Sequence, residues 1–155
     1  MLMIIVLAAI VILAAVLIFA ATRPDTFRVE RSADIKASPE QVFVQINDLH
    51  NWRAWSTWEK MDPNMKKTFS GSAQGRGAAY AWEGNRKVGK GSMEIVESKP
   101  HEFIAITLEF IKPFRGTNRA EFSFKPEGNQ TRVTWTNSGK NNFIGKAVFF
   151  FTHWQ

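Results

Sequence analysis

The chain has no cysteine, which excludes disulfides, thiolate metal sites and thiol nucleophiles. Its three histidines, His50, His101 and His153, lack metal-ligand spacing, so neither a metal nor another cofactor is expected. Two short glycine-containing stretches fail as catalytic motifs. "GNRKVGKG", residues 84–91, has Gly91 where a phosphate loop needs Ser or Thr, and its setting is a β-hairpin rather than a strand-to-helix turn. "GSAQG", residues 71–75, has its serine off-centre for a nucleophile elbow. Charge is missing altogether from "MLMIIVLAAIVILAAVLIFAA", Met1–Ala21.

That uncharged run is the first thing the chain does contain. About 20 apolar residues at 1.5 Å each match a hydrocarbon core of roughly 30 Å. A secretory signal would be shorter, with basic residues ahead of it; here no Lys or Arg precedes the run, and Phe19 spoils a small-x-small cleavage pattern before Thr22. The expectation is a single-pass anchor over 1–22, with residues 23–155 as one domain. Arg23, Arg28, Arg31 and Lys36 follow the run, and the positive-inside tendency then puts the domain in the cytoplasm. The formal charge of +6 lies wholly in the domain and suits an anionic lipid surface. A nucleic-acid partner is not expected, because no regular basic interleaving accompanies the aromatics.

The domain reads as strand, short helices, strands and a last helix. "FRVERSADIKA" alternates, with Phe27, Val29, Ala33 and Ile35 on one side and only Arg31 breaking that apolar set. Ser38, Pro39 and Gln41 form a capping-box helix start, with Val42, Phe43 and Ile46 as its apolar stripe. From Lys66 strands and turns take over, with hairpin turns near Gly84-Asn85 and Glu127-Gly128-Asn129. Phe143, Ala147, Phe150, Phe151 and Trp154 mark one face of a C-terminal helix capped by Asn142.

"VERSADIKASPEQVFVQINDLHNWRAWSTWEKMDP" and "YAWEGNRKVGKGSMEI", taken with this element order, resemble the START-related helix-grip superfamily (SRPBCC). The nearer resemblance is to its bacterial, membrane-anchored, polyketide cyclase/dehydrase-like branch. It covers about residues 26–150. It implies an α+β helix-grip fold: a curved antiparallel sheet of about seven strands wrapped on a C-terminal helix, with an apolar cavity between. It also implies a hydrophobic or lipid-like small molecule as partner, bound without covalent catalysis. Two alternatives stand beside that reading. One is a cyclase or dehydratase using cavity acid/base residues, for which Glu83, Glu109, Asn118, Arg119 and Glu121 are the polar candidates. The other is a truncated, non-functional family fragment, since the last helix stops after about three turns and predicts an incomplete grip.

Trp52, Trp55 and Trp58 are spaced by three. Helical geometry makes them one aromatic wall that seals an end of the core, with one indole shared with a ligand. Strand alternation adds the remaining cavity candidates. The set is Trp55, Trp58, Tyr80, Trp82, Met93, Ile106, Leu108, Phe110, Phe122 and Trp135.

Overall fold

The computed structural model describes residues 1–22 and 25–140. The expected C-terminal helix over 142–154 lies outside the described residues. Helix α1 spans Leu2–Thr22. It contains no proline, glycine or charge, and Thr22 Oγ1 donates to the Phe19 carbonyl at 2.9 Å near its end. Its apolar side chains, among them Ile4, Leu7, Val11 and Ile18, are exposed. The expected helix is therefore present, but the expected membrane span is not found. Among the described residues no helix is long and apolar enough to cross a membrane.

The chain divides into two compact units, of which Arg28–Gly139 is one. It holds a seven-stranded sheet in the order β1-β7-β6-β5-β4-β3-β2. The strands are β1 (Thr26–Ile35), β2 (Lys66–Gly71), β3 (Ala78–Glu83), β4 (Lys90–Lys99), β5 (Phe103–Lys112), β6 (Gly116–Glu127) and β7 (Gln130–Lys140). From β2 to β7 each strand runs antiparallel to the next. The register of β1 on β7 is visible in side-chain bonds from Glu30 to Thr136, Ser32 to Thr134 and Asp34 to Arg132. Partners descend along one strand as they ascend along the other, as an antiparallel pair requires. Register shifts between β4 and β5, at Lys90/Gly91 and Ile95/Glu97, bend the sheet.

Period-two alternation puts the apolar residues on one face. Tyr80 stands opposite Met93, Ile95 opposite Ile106, Ile104 opposite Phe122, and Phe124 opposite Val133, and all eight are buried. Helix α2 (Pro39–Asn47) covers part of this face. Its start is the capping box read from the sequence: Gln41 N–H donates to Ser38 Oγ at 3.4 Å, and Ser38 N–H donates to Gln41 Oε1 at 3.2 Å. Val42, Phe43 and Ile46 are buried, Phe43 edge-on to Phe124 at 5.6 Å. Ser98 Oγ donates to Asn47 Oδ1 at 2.7 Å, fixing the helix end to β4.

Candidate functional site

After a 3₁₀ turn at Leu49–Asn51 come α3 (Trp52–Trp55) and α4 (Thr57–Lys60). Ser56 between them has extended backbone, φ −67° and ψ 122°. That break divides the tryptophans, so they do not form the single wall expected from three-residue spacing. Trp52 and Trp55 lie 4.8 Å apart and both meet Phe122 edge-on, at 6.1 and 6.4 Å. Trp58 turns instead to Trp82 and Phe110, at 6.1 and 6.3 Å. Two indoles are pinned to α2: Trp52 Nε1 donates to the Ile46 carbonyl at 3.0 Å and Trp55 Nε1 to the Gln45 carbonyl at 2.9 Å.

Between α2, α3 and the β1-β7-β6 side of the sheet lies a cleft of about 630 Å³. That is within the roughly 300–1,000 Å³ of small-molecule sites. Ala33, Ile35, Val42, Ile46, Trp55, Phe122, Val133 and Trp135 give it an apolar lining. Arg31, Gln41 and Gln45 supply its polar side chains, whereas Ser32 turns its hydroxyl to Thr134 on the other face of the sheet. Arg31 is the residue that broke the apolar set of β1 in the sequence. Here, among the described residues, it is the one charged side chain lining the cleft, with Nη1 donating to the Glu30 carbonyl at 2.9 Å.

Of the ten cavity candidates, Trp55, Phe122 and Trp135 line this cleft. Tyr80, Trp82, Met93 and Ile106 are buried in the core, and Trp58, Leu108 and Phe110 pack against it. Trp82 sits there with its Nε1 donating to the Val88 carbonyl at 2.9 Å. The polar candidates stand apart from the cleft. Glu83 is exposed and paired with Lys90 at 3.1 Å, and Glu109 is exposed. Glu121 bonds Arg119 at 2.7 Å, and Asn118 lies opposite Leu108.

One carboxylate escaped sequence reading. Glu59, one residue past Trp58, is buried at 6% exposure and paired with Lys67. The Lys67 ammonium also lies 5.8 Å from the Tyr80 ring centre. Burial first, and then the Glu59 carboxylate, push the Tyr80 phenol well above its ordinary value. Among the described residues Glu59 Oε1, Tyr80 Oη and Trp58 Nε1 are buried without a hydrogen-bond partner. The only available signal was position: on a four-residue helix, Glu59 follows the inward-facing Trp58 into the core.

No curated protein matches the chain. Solved structures do share its fold. Protein CV1439 from Chromobacterium violaceum is 17% identical, with a TM-score of 0.56 over 83% of this chain and 88% of that one. The Aha1 dimer from Colwellia psychrerythraea gives 19% and 0.54, over 81% and 92%. Ginseng major latex-like protein 151 from Panax ginseng gives 10% and 0.54, over 83% and 96%. At these identities the likeness speaks for the helix-grip fold alone. The sequence profile described as "Polyketide cyclase / dehydrase and lipid transport" matches residues 26–148, most of the chain. The chain belongs to the polyketide cyclase/dehydrase and lipid-transport family.

Proposed function

We propose that this protein binds a hydrophobic or amphipathic, lipid-like small molecule in the cleft between α2, α3 and β1-β7-β6, without covalent catalysis. The observation that carries the reading is the lining. Val42, Ile46, Trp55, Phe122, Val133 and Trp135 form an apolar wall around about 630 Å³, with Arg31, Gln41 and Gln45 able to meet a polar end. Burying apolar ligand surface there yields roughly 25 cal/mol per Å². Cyclase or dehydratase chemistry finds less support, because none of Glu83, Glu109 and Glu121 lines the cleft.

The same proposal assigns α1 as a single-pass anchor with the domain on the cytoplasmic side. Its support is the uncharged composition of Met1–Ala21 and a full helix of 21 residues, about 31 Å long. An apolar ligand could then partition between bilayer and cleft.

The test uses the full chain in lipid nanodiscs and a bromine-substituted fatty acid as probe. All six tryptophans lie outside α1, so quenching reports the domain. Saturable quenching is expected, and Ala33→Trp, which fills the cleft from β1, should weaken the probe at least about tenfold, 1.4 kcal/mol. Equal affinity in wild type and Ala33→Trp would remove the cleft as the site.

A further inference from the structure

The near-miss "GNRKVGKG" forms the β3–β4 turn, and its backbone explains why it is not a phosphate loop. Asn85 N–H donates to Asp62 Oδ2 at 2.7 Å, and Lys87 and Val88 N–H both donate to Asn85 Oδ1, at 2.8 and 3.3 Å. Gly84 and Gly89 N–H donate to the Gly89 and Asn85 carbonyls. The amides of Gly84, Asn85, Lys87, Val88 and Gly89 are thus committed, which leaves an anion there to be met chiefly by side chains. Those side chains are basic. Gly89, at φ +62°, lets this turn touch the β5–β6 turn: a Cβ there would fall 2.1 Å from the Lys112 carbonyl oxygen. The two turns share a cleft of about 620 Å³ whose walls include Arg86, Lys90, Lys112 and Pro113.

Lys87 and Arg115 extend the cationic surface on the same turns. Glu83 takes up Lys90 at 3.1 Å, and Asp62 accepts from the Asn64 and Asn85 amides. Glu83 also attracts Lys112, but among the described residues no ion pair holds Arg86, Lys87 or Arg115. Between Lys112 and Arg115 stands Phe114, 63% exposed, the most exposed large apolar side chain of Arg28–Gly139. Ile111 and Met61, tied to this end through the Asn85 Nδ2 bond to the Met61 carbonyl, are also exposed. An exposed aromatic beside a surface with an excess of cations fits an interface with an apolar interior and an anionic skin.

We infer that the β3–β4 and β5–β6 turns form a docking surface for an anionic lipid bilayer, with Phe114 inserted among the acyl chains and Arg86, Lys87, Lys112 and Arg115 on the headgroups. The surface acts independently of α1 and of the apolar cleft. It orients the sheet end-on to the membrane, with the β6–β7 turn about 36 Å away along the twelve residues of β6.

Because the chain has no cysteine, Phe114→Cys gives one labelling site for a polarity-sensitive fluorophore. Asn129→Cys in the β6–β7 turn is the control. The labelled full chains are reconstituted into phosphatidylcholine vesicles with and without phosphatidylserine. The expected result is a blue shift at position 114 in anionic vesicles only, reversed by salt, and none at 129. Each of Arg86→Gln, Lys87→Gln, Lys112→Gln and Arg115→Gln should lower the docked-to-undocked ratio about fivefold. No shift at 114, the same shift in neutral vesicles, equal shifts at 114 and 129, or a shift given by an added oligonucleotide and not by the bilayer would each overturn the inference.

Discussion

Gly91→Ala tests how tightly the β3 side of the core is filled. Gly91 stands opposite Trp82 across the β3–β4 pair. A Cβ there would fall 2.6 and 2.7 Å from Trp82 Cζ2 and Cη2, and 2.3 Å from the Glu109 carbonyl oxygen. Carbon pairs prefer about 3.5–4.0 Å, so the indole would have to retreat by about 1 Å. It has nowhere to go: Trp82 is 2% exposed, its Nε1 holds the Val88 carbonyl, and Trp58, Tyr80 and Phe110 surround it. Overpacking of this kind costs about 1–3 kcal/mol, and with a backbone carbonyl also in the way the upper end is expected. For a domain of this size, about 3 kcal/mol lowers the melting temperature by roughly 10 °C. The assay is a near-UV circular dichroism melt of the full chain in one detergent. Trp82→Phe removes both clashing carbons, so the double variant should recover at least about 1 kcal/mol relative to additivity. A Gly91→Ala melt within about 2 °C of wild type, or strict additivity with Trp82→Phe, would refute the packing argument and reopen Trp82 as a cavity residue.

Other outcomes follow from the same geometry. Lys67→Met leaves the Glu59 carboxylate buried and unpaired, and should destabilise by about 3–5 kcal/mol; Glu59→Leu with Lys67→Met should recover most of that in a chemical denaturation series. Tyr80 is the only tyrosine, so its phenolate absorbance can be followed alone. Its phenol is raised in the folded chain from an ordinary value of 10.0, so its contribution to stability is fully present below pH 10 and is lost as pH rises further. Phenolate absorbance should therefore appear together with alkaline unfolding; ionisation near pH 10 in the folded chain would contradict its burial. Ser38→Ala removes the capping box that starts α2, and should cost about 0.5–2 kcal/mol in the same denaturation series.

The fold was legible because its signals are local. Ser38, Pro39 and Gln41 state a helix start without reference to anything distant, and Tyr80-Ala81-Trp82-Glu83 states which side chains go inward. The position of the cleft is not a local property. Alternation puts Trp82 and Trp135 on the same face of one sheet, yet Trp82 is enclosed and Trp135 lines an opening. What separates them is the path of the chain through Ser56, whose extended backbone sends Trp58 toward β3 and β5 and leaves Trp55 over β6. Arg31 carried a visible signal, the single break in an alternating strand. Glu59 carried almost none, since its burial depends on Lys67 arriving from β2.

The two tryptophan positions also bear on what the cleft is for. Trp58 is packed by ring contacts to Trp82 and Phe110, with Tyr80 behind Trp82. Around Trp55, the same residue type is held by a backbone bond to Gln45 and touches Trp52 and Phe122, while its remaining surface faces about 630 Å³. An indole fixed by its Nε1 has already given up its rotamer freedom, so an apolar molecule meeting its face pays little further ordering cost. Among the described residues the polar side chains of the lining, Arg31, Gln41 and Gln45, come from β1 and α2, whereas β6 and β7 contribute Phe122, Val133 and Trp135. That division favours a ligand with one polar end directed toward β1 and an apolar body laid against β6 and β7.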